Sequence, residues 1–517
     1  MKRTSAFSKI LSITISLLLL LTLAVPSFAA ADSDSANATR FVFSDSGITV
    51  TEGAYTGYKV KGTALSITEA GTYTVSGTCD SGTIVIKKNV TGVTLILNGL
   101  TLSASATAPI TCNKGSGVTI VAAAGSVNNL ADDKYNNDDI YTDETLYPDI
   151  ENAVIKCKDG SNVTICGTGT INVTANGKNG VKGGADLYEE DEDGNATTTL
   201  LSTASLTIED VTLNISAGVG DGLKSDKELN LLSGSITVSA ADDGIKSDDT
   251  LNIGATDTDG PTINVTKAAE GMEGAVINVY SGNITVNATD DGINAANGDI
   301  ADRSADFQYN QYGGYVYVNC TNGDGLDSNG SANLAGGVLE IYSPAQGDGD
   351  PIDTEYGATF SGATVLGVGN SMMQQSYSGT YVTFGASRGM GGFGGFGGGR
   401  STSVSANSTI TIKDSSGNVI YTAQSKAPRA AGYVVFASPS LSSGGTYTMT
   451  AGSSAANGTA TTGSGNPGGQ QPGGNQGGPG GHWNSNTDTG SSGGIFSIIS
   501  NFFQKIIAFF RNLFGIG

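Results

Sequence analysis

Histidine and tryptophan are almost missing, with one of each in 517 residues. A single His, and five Cys that never fall at Cys-x-x-Cys spacing, give no basis for a zinc site. Positive charge is scarce too. There are 26 Lys+Arg against 48 Asp+Glu, a net charge of −22, so the basic footprint of a nucleic-acid binder is absent and no nucleic-acid partner is expected. Cys79, Cys112, Cys157, Cys166 and Cys320 are too few for a disulfide-built scaffold of this length. They are expected to be small buried hydrophobes, with one bridge left open. No phosphate loop is present, and no Ser or Cys has an obvious catalytic partner. No two acids stand apart from the rest as a hydrolase pair.

Glycine, by contrast, is abundant at 76 residues, roughly twice its usual share. It has no three-residue period, which excludes collagen. Length alone would give about three domains.

The ends differ from the body. Residues 1–31 read as a secretory signal, with Lys2, Arg3 and Lys9 ahead of an apolar run from Ile10 to Val25 and a small-residue site at Ala29-Ala30-Ala31. Its removal takes away three positive charges and no negative one, so the exported chain is more acidic still. Residues 454–494 turn to Gly, Ser, Asn and Gln with scattered Pro, the composition of a flexible linker. Both His482 and Trp483 fall inside it. Residues 495–517 then place apolar side chains at helical spacing, opposite Ser497, Asn501, Gln504, Lys505 and Arg511. Such an amphipathic helix can lie in a membrane interface or dock on a cell-surface partner.

The body, 40–453, is organised by one short motif. Asn179-Gly180-Val181-Lys182 is followed by Asp221-Gly222-Leu223-Lys224, Asp243-Gly244-Ile245-Lys246, Glu270-Gly271-Met272-Glu273, Asp291-Gly292-Ile293-Asn294, Asp324-Gly325-Leu326-Asp327 and Asp350-Pro351-Ile352-Asp353. Intervals are 21 to 27 residues, with two longer ones of 42 and 33. Between copies lie alternating runs such as SITVSA (235–240), NITVNAT (283–289) and YVYVNCT (315–321). Short Val/Ile/Thr strands divided by Gly/Asn/Asp turns are strand chemistry, and a period near two dozen residues makes a solenoid. The expected fold is all-β: a right-handed parallel β-helix with Gly and Asn taking left-handed positions at the corners. A β-sandwich with regular turns is the alternative. The segments Asp186–Ser205 and Asp299–Gly314 read as inserted loops.

If the copies stack, Asp221, Asp243, Glu270, Asp291, Asp324 and Asp350 form a column about 4.8 Å apart. Like charges at that distance repel by about 1 kcal/mol in water and by roughly 3–4 at an effective dielectric of 20. Protonating so many surface turns at neutral pH is not expected, whereas Ca2+ is a hard cation that takes six to eight oxygens. The column three residues on changes from Lys182, Lys224 and Lys246 to Glu273, Asn294, Asp327 and Asp353. Early lysines can pair with the carboxylates; later members add oxygen ligands. The metal is therefore expected where Asp221, Asp242, Asp243, Glu270, Glu273, Asp290, Asp291, Asp324 and Asp327 converge. The plain alternative is that Asp-Gly simply suits tight turns.

The order GTYTVSGTCDSGTIVIKKN, GVTLILNGLTLSASATAPI, GSGVTIVAAAGSVNNLAD and NAVIKCKDGSNVTICGTGTINVTANGKNGVKG resembles a family of secreted carbohydrate-binding β-helix proteins of cellulolytic Gram-positive anaerobes. The resemblance runs from Arg40 to Gly452 and includes YVVFASPSLSSGGTYTMTAG near its end. It implies a fold like that of family-nine pectate lyases, bound calcium at turns such as Asp243-Gly244, Asp291-Gly292 and Asp324-Gly325, and adhesion to cellulose-like or pectin-like chains. The Gly/Phe run MGGFGGFGGG (390–399) and the terminal helix depart from the family's pattern.

A lyase would need calcium and a neutral Lys or Arg base. Lys224 or Lys246 beside Asp242 and Asp243 is the one candidate constellation, yet flanking carboxylates hold a lysine protonated. A binder needs only a long face with stacking rings. Tyr135, Tyr141 and Tyr147 fall in one acidic insertion, and Tyr309, Tyr312, Tyr315 and Tyr317 in another. The expectation is a secreted, cell-surface, calcium-binding protein that holds polysaccharide without cleaving it. A pectate lyase-like enzyme and a structural adhesin for protein partners are the alternatives.

Overall fold

The computed structural model describes residues 37–464, apart from 52, 192–193, 298–306, 345–348, 372–374, 386–403, 405–406 and 426–432. The expected signal segment, the terminal helix, the Gly/Phe run and the stretch from 465 to 494 lie outside those residues. The described residues are all β, and none forms a helix long and apolar enough to cross a membrane. Thirty-five strands join one sheet, beside a separate two-stranded hairpin and a separate four-stranded sheet.

Parallel pairing at the motif spacing builds the large sheet. In a first ladder, Asn179–Gly183 pairs with Leu223–Ser225, which pairs with the start of Ile245–Ile253, then Met272–Val279, Ile293–Ala295, Leu326–Ser328 and Asp353–Thr354. A second ladder runs through Ser205–Ile208, Glu228–Leu231, the second halves of Ile245–Ile253 and Met272–Val279, Gln308–Gln311 and Ser331–Leu334. A third runs through Thr170–Ala175, Thr212–Ala217, Ser235–Ala240, Thr262–Lys267, Asn283–Ala288, Tyr315–Cys320 and Val338–Tyr342.

Period-2 alternation and common register stack like on like. Inward, Val181, Leu223, Ile245, Met272, Ile293 and Leu326 form one fully buried column. Each such side chain contributes about 1.5–3 kcal/mol by leaving water. Outward on the second ladder, asparagines stack: Asn252 Nδ2 donates to Asn230 Oδ1 at 2.9 Å, Asn278 to Asn252 at 2.9 Å and Asn310 to Asn278 at 3.1 Å. Amide on amide satisfies both donor and acceptor from one stacked strand to the next.

Left-handed glycines serve the corner before the third ladder, as at Gly282 (φ 112°) and Gly337 (φ 72°). The motif glycines Gly180, Gly222, Gly244, Gly271, Gly292 and Gly325 do not have positive φ. A Cβ on Gly244 would stand 2.7 Å from both Gly271 O and Val265 Cγ1, so close approach of the neighbouring strand requires glycine there. Two expectations are corrected. First, Gln308–Gln311 is a ladder strand rather than part of an inserted loop, because its polar side chains sit where the asparagine stack continues. Leu187–Glu190 and Ala196–Ser202, by contrast, do form an inserted hairpin. Second, Ser454–Thr459 and Thr461–Ser464 pair as strands, so the expected linker cannot begin at 454. Backbone pairing there needs no large apolar side chain, which is why composition hides it.

The far end is capped by antiparallel structure. Val419–Gln424, Thr409–Asp414, Thr446–Ala451 and Ser454–Thr459 form the four-stranded sheet. Ile410, Ile412 and Met449 pack with Tyr317, Tyr342 and Leu366 in a second core. All five cysteines are free and buried.

Candidate functional site

The motif turns run beside the first ladder as a hydrogen-bonded column. Gly222 N donates to Asp243 O at 2.9 Å and Gly292 N to Asp324 O at 2.9 Å. The acidic side chains use one oxygen in the same way. Asp221 Oδ1 accepts from Asp243 N at 3.2 Å, Asp291 Oδ1 from Asp324 N at 2.6 Å and Asp324 Oδ1 from Asp350 N at 2.6 Å. Carboxylates here cap the next turn's backbone, which the sequence reading did not foresee.

Nor do these acids all face solvent, although Asp242 and Asp290 are exposed. Asp221, Asp243, Glu273 and Asp324 are 4–7% exposed and Asp350 is 2% exposed. Burial disfavours the charged form. It pushes Asp243 up to about 8 against the pull of Lys246, and the charges of Asp221 and Glu273 add to the rise. Glu270 is pushed up to about 7, first by burial and then by Asp243. Asp221 is also raised by burial.

The nine carboxylates proposed from sequence do not converge on one point. Among the described residues, the side-chain oxygens of Asp221, Asp242 and Asp243 lie within 4.8 Å of one another, as do those of Asp243, Glu270 and Glu273, and those of Asp324, Asp327 and Asp353. Asp290 and Asp291 belong to none of these triads. Their Oδ1 atoms fold over the next turn, 2.6 and 2.2 Å from where a Gly323 Cβ would stand.

Lysine already fills the middle triad. Lys246 Nζ lies 2.8 Å from Asp243 Oδ2 and 2.5 Å from Glu273 Oε2. Burial pulls its pKa down, but those two carboxylates more than reverse the effect and hold it well above the ordinary lysine value. Lys224 is raised in the same way by Asp248, Asp221 and Asp226 against burial. Neither lysine is in the state a base requires.

The third triad has different surroundings. Gln375 Nε2 donates to Asp353 Oδ1 at 2.9 Å and to Asp350 Oδ2 at 3.3 Å, bringing a fourth carboxylate close. Asn294, in register with Asp327, donates from Nδ2 to Glu270 Oε2 at 3.0 Å, while its buried Oδ1 has no partner. Three clustered carboxylates, with an orphaned carbonyl oxygen on the register neighbour of Asp327, are a set of hard oxygen donors of the kind calcium takes.

The tyrosines separate into two kinds. Tyr135, Tyr141 and Tyr147 are half-exposed and cluster, with ring centroids 4.9, 5.6 and 5.2 Å apart. Ile140 (62% exposed) and Leu146 (69%) lie in the same loop. Tyr309 is corrected: it is fully buried, because it occupies an inward position of its strand, and its hydroxyl donates to Gln311 Oε1 at 3.0 Å. Tyr315 and Tyr317 are also committed, Tyr315 to Glu340 at 3.0 Å and Tyr317 to the second core. Tyr312 remains exposed and stacks on Tyr280 at 5.3 Å and 14°. Tyr309→Phe is therefore expected to lower stability by about 1–2 kcal/mol, by leaving the buried Gln311 acceptor unpaired. Urea unfolding would read this.

A protein-family model described as "carbohydrate-binding domain-containing protein" matches residues 61–188, 185–345 and 233–376, together more than half of the chain. The chain belongs to that family. A carbohydrate-binding domain-containing protein of Acetivibrio thermocellus is 33% identical over 133 residues, 25% of this chain and 44% of the relative. The match thus spans less than half of that relative's length. A solved structure of the polysaccharide lyase-like protein from C. thermocellum, a gadolinium derivative, shares 21% identity at a TM-score of 0.32, over 66% of this chain and 99% of that one.

Within this member of the carbohydrate-binding domain family, sequence reading missed several partners. Asp226 pairs with Lys182 at 3.3 Å, and Asp248 with Lys224 at 3.5 Å. The recurrence of Lys-Ser-Asp at 224–226 and 246–248 was an available signal. Asp353 stood in the second column but was not carried into the metal set. Tyr280 could have been found by aligning Val279-Tyr280 with Gln311-Tyr312, which the ladder register makes neighbours.

Proposed function

We propose that this protein is a secreted, calcium-binding, right-handed parallel β-helix that holds plant-wall polysaccharide, cellulose-like or pectin-like, without cleaving it. Membership of the carbohydrate-binding family supports the ligand class. The observation that carries the non-catalytic reading is the clamping of Lys246 between Asp243 and Glu273. A charged ammonium has no lone pair with which to take the proton beside a sugar carboxylate.

Calcium, in this reading, is held by Asp324, Asp327 and Asp353 with Asn294, and by Asp221, Asp242 and Asp243 in a second position. Lys246 serves as the counter-ion of the triad between them. Bound metal would neutralise the column and fix the turns that bridge the first and third ladders. Tyr135, Tyr141 and Tyr147 would supply the sugar-stacking surface, with Tyr312 a second point of contact.

The test incubates the mature protein with polygalacturonate, with calcium and with chelator, while following ultraviolet absorbance of unsaturated product. Pull-down on cellulose and on pectate runs in parallel. Retention with flat absorbance is expected, and Tyr147→Ala should weaken retention while leaving the unfolding midpoint within a few degrees. Calcium-dependent absorbance that disappears in Lys246→Met would establish the lyase instead. Absence of both retention and product would leave the protein-adhesin reading.

A further inference from the structure

At its early end, the outward column of the first ladder begins with lysines. Lys156, Lys182, Lys224 and Lys246 are in register on successive strands, about 4.8 Å apart. Stacked ammonium groups repel as stacked carboxylates do, so each needs an anion. Lys182 has Asp226, Lys224 has Asp248 and Asp226, and Lys246 has Asp243 and Glu273. Among the described residues, no carboxylate lies within 4.0 Å of Lys156. Burial and then the charge of Lys182 press its pKa down, further than the charges of Asp226 and Glu151 raise it.

Lys156 opens onto a cleft of about 230 Å3. Lys158 and Lys114 flank it, Lys158 already paired with Glu151 at 2.7 Å and Lys114 with Glu190 at 3.4 Å and Asp159 at 3.5 Å. The walls are held in place. The fully buried Asn136 donates to Asp132 Oδ2 and Ala153 O, and its Oδ1 accepts from Glu151 N at 2.8 Å and Asn152 N at 3.0 Å. Tyr135, Tyr141 and Tyr147 belong to the same loop, which runs between Asp132 and Asn152.

We infer that this cleft is a calcium-independent subsite for the carboxylate of an acidic sugar, with Lys156 as its counter-ion. The pairing selects the ligand: Lys158 and Lys114 already have carboxylate partners, which leaves Lys156 as the one lining ammonium with none within 4.0 Å among the described residues, and a single ammonium matches a monoanion better than a phosphate dianion. Ile150 offers an apolar wall for a ring face, and Asn152, whose Oδ1 accepts from Asp138 N at 2.9 Å, has its amide hydrogens left as donors to hydroxyls. In a chain of net charge −22, it gives an acidic glycan a landing point that needs no bridging metal. The inference rests on the polysaccharide-binding reading and locates one point of it.

The experiment is calorimetric titration of the mature protein in chelator with a galacturonate trimer, a neutral cello-oligosaccharide and acetate. It is repeated on Lys156→Met and on Lys88→Met, an exposed lysine outside the cleft. Lys156→Met is expected to weaken the acidic trimer at least about tenfold, the worth of one charge-assisted hydrogen bond. The neutral oligosaccharide, and trimer binding by Lys88→Met, should be unaffected. The unfolding midpoint of Lys156→Met should not fall, since an unpaired buried charge is removed. Undiminished trimer binding by Lys156→Met would overturn the subsite while leaving the binder reading intact, as would equal loss with both lysine variants. Acetate binding as tightly as the trimer would overturn the sugar-acid assignment. Failure of the wild type to take either sugar would overturn both the subsite and the binder reading.

Discussion

Gly292→Ala is expected to lower the unfolding free energy by about 3 kcal/mol, the upper part of the range for overpacking a tight interior. The new Cβ would stand 2.1 Å from Val318 Cγ1 and 2.7 Å from Gly325 O. Neither contact can yield cheaply. Gly325 O is the acceptor for Ile293 N at 3.1 Å, and Val318 is a fully buried member of the third ladder's inner column. Spreading the strands to admit a methyl group would break the first ladder where Ile293 pairs with Leu326. Gly218→Ala is the matched control. Its φ is not positive, and its Cβ would meet nothing nearer than Ala175 O at 3.8 Å. It should be neutral or stabilise by about 0.4–1 kcal/mol through the unfolded chain. Denaturant unfolding of the two variants reads the difference. The Gly292→Ala and Val318→Ala pair should be less than additive, because the second change removes one of the two clashes. Equal stability of both glycine variants would mean that the motif glycine answers to turn chemistry alone.

That prediction marks where sequence reading reached and where it stopped. Register was legible, since the spacing of Asp221, Asp243, Glu270, Asp291 and Asp324 is the spacing at which Leu223, Ile245, Met272, Ile293 and Leu326 pair. Alternation separated inward Ile and Val from outward Asn and Thr. The reason for each glycine was not legible, because an absent Cβ looks the same whether φ or a neighbouring strand demands it. Burial of the acidic column was hidden as well. Asp-Gly is a surface-turn signature, and only the adjacent strands reveal that Asp221 lies under the next turn, its Oδ1 accepting from Asp243 N. Tyr309 shows the same limit. A tyrosine beside a polar insertion reads as exposed until its parity along Gln308–Gln311 is known. Lys156 escaped because the residues before it form a long loop rather than the Asp-Gly turn that flags the other members of its column.

Burial of the acidic column leads to the other large effect. Chelated protein should be more stable at pH 5 than at pH 8, by at least about 4 °C in unfolding midpoint, which corresponds to roughly 3–4 kcal/mol in a chain of this size. Asp243, at about 8 against 3.8, and Glu270, at about 7 against 4.5, are raised in the folded state. The folded protein therefore binds more protons than the unfolded chain across this window, and stability falls as pH rises through the folded values. Asp221, Glu273, Asp132 and Glu209 are raised by burial too and act in the same direction. Lys224 and Lys246, raised above the ordinary lysine value, contribute stability already complete below it and constant here. If calcium occupies Asp221, Asp242 and Asp243, it replaces protons as the neutralising charge. Its stabilisation should then be small at pH 5 and large at pH 8, about 4 kcal/mol at a thousand times its dissociation constant. Asp132 and Glu209 lie outside the triads, so part of the pH dependence should survive saturation with calcium. Asp243→Asn, which keeps the shape without the titration, should flatten the chelated profile and weaken calcium together. A chelated protein equally stable at both pH values would mean that the buried carboxyls are neutralised in some other way, and the case for calcium at this column would fall with it.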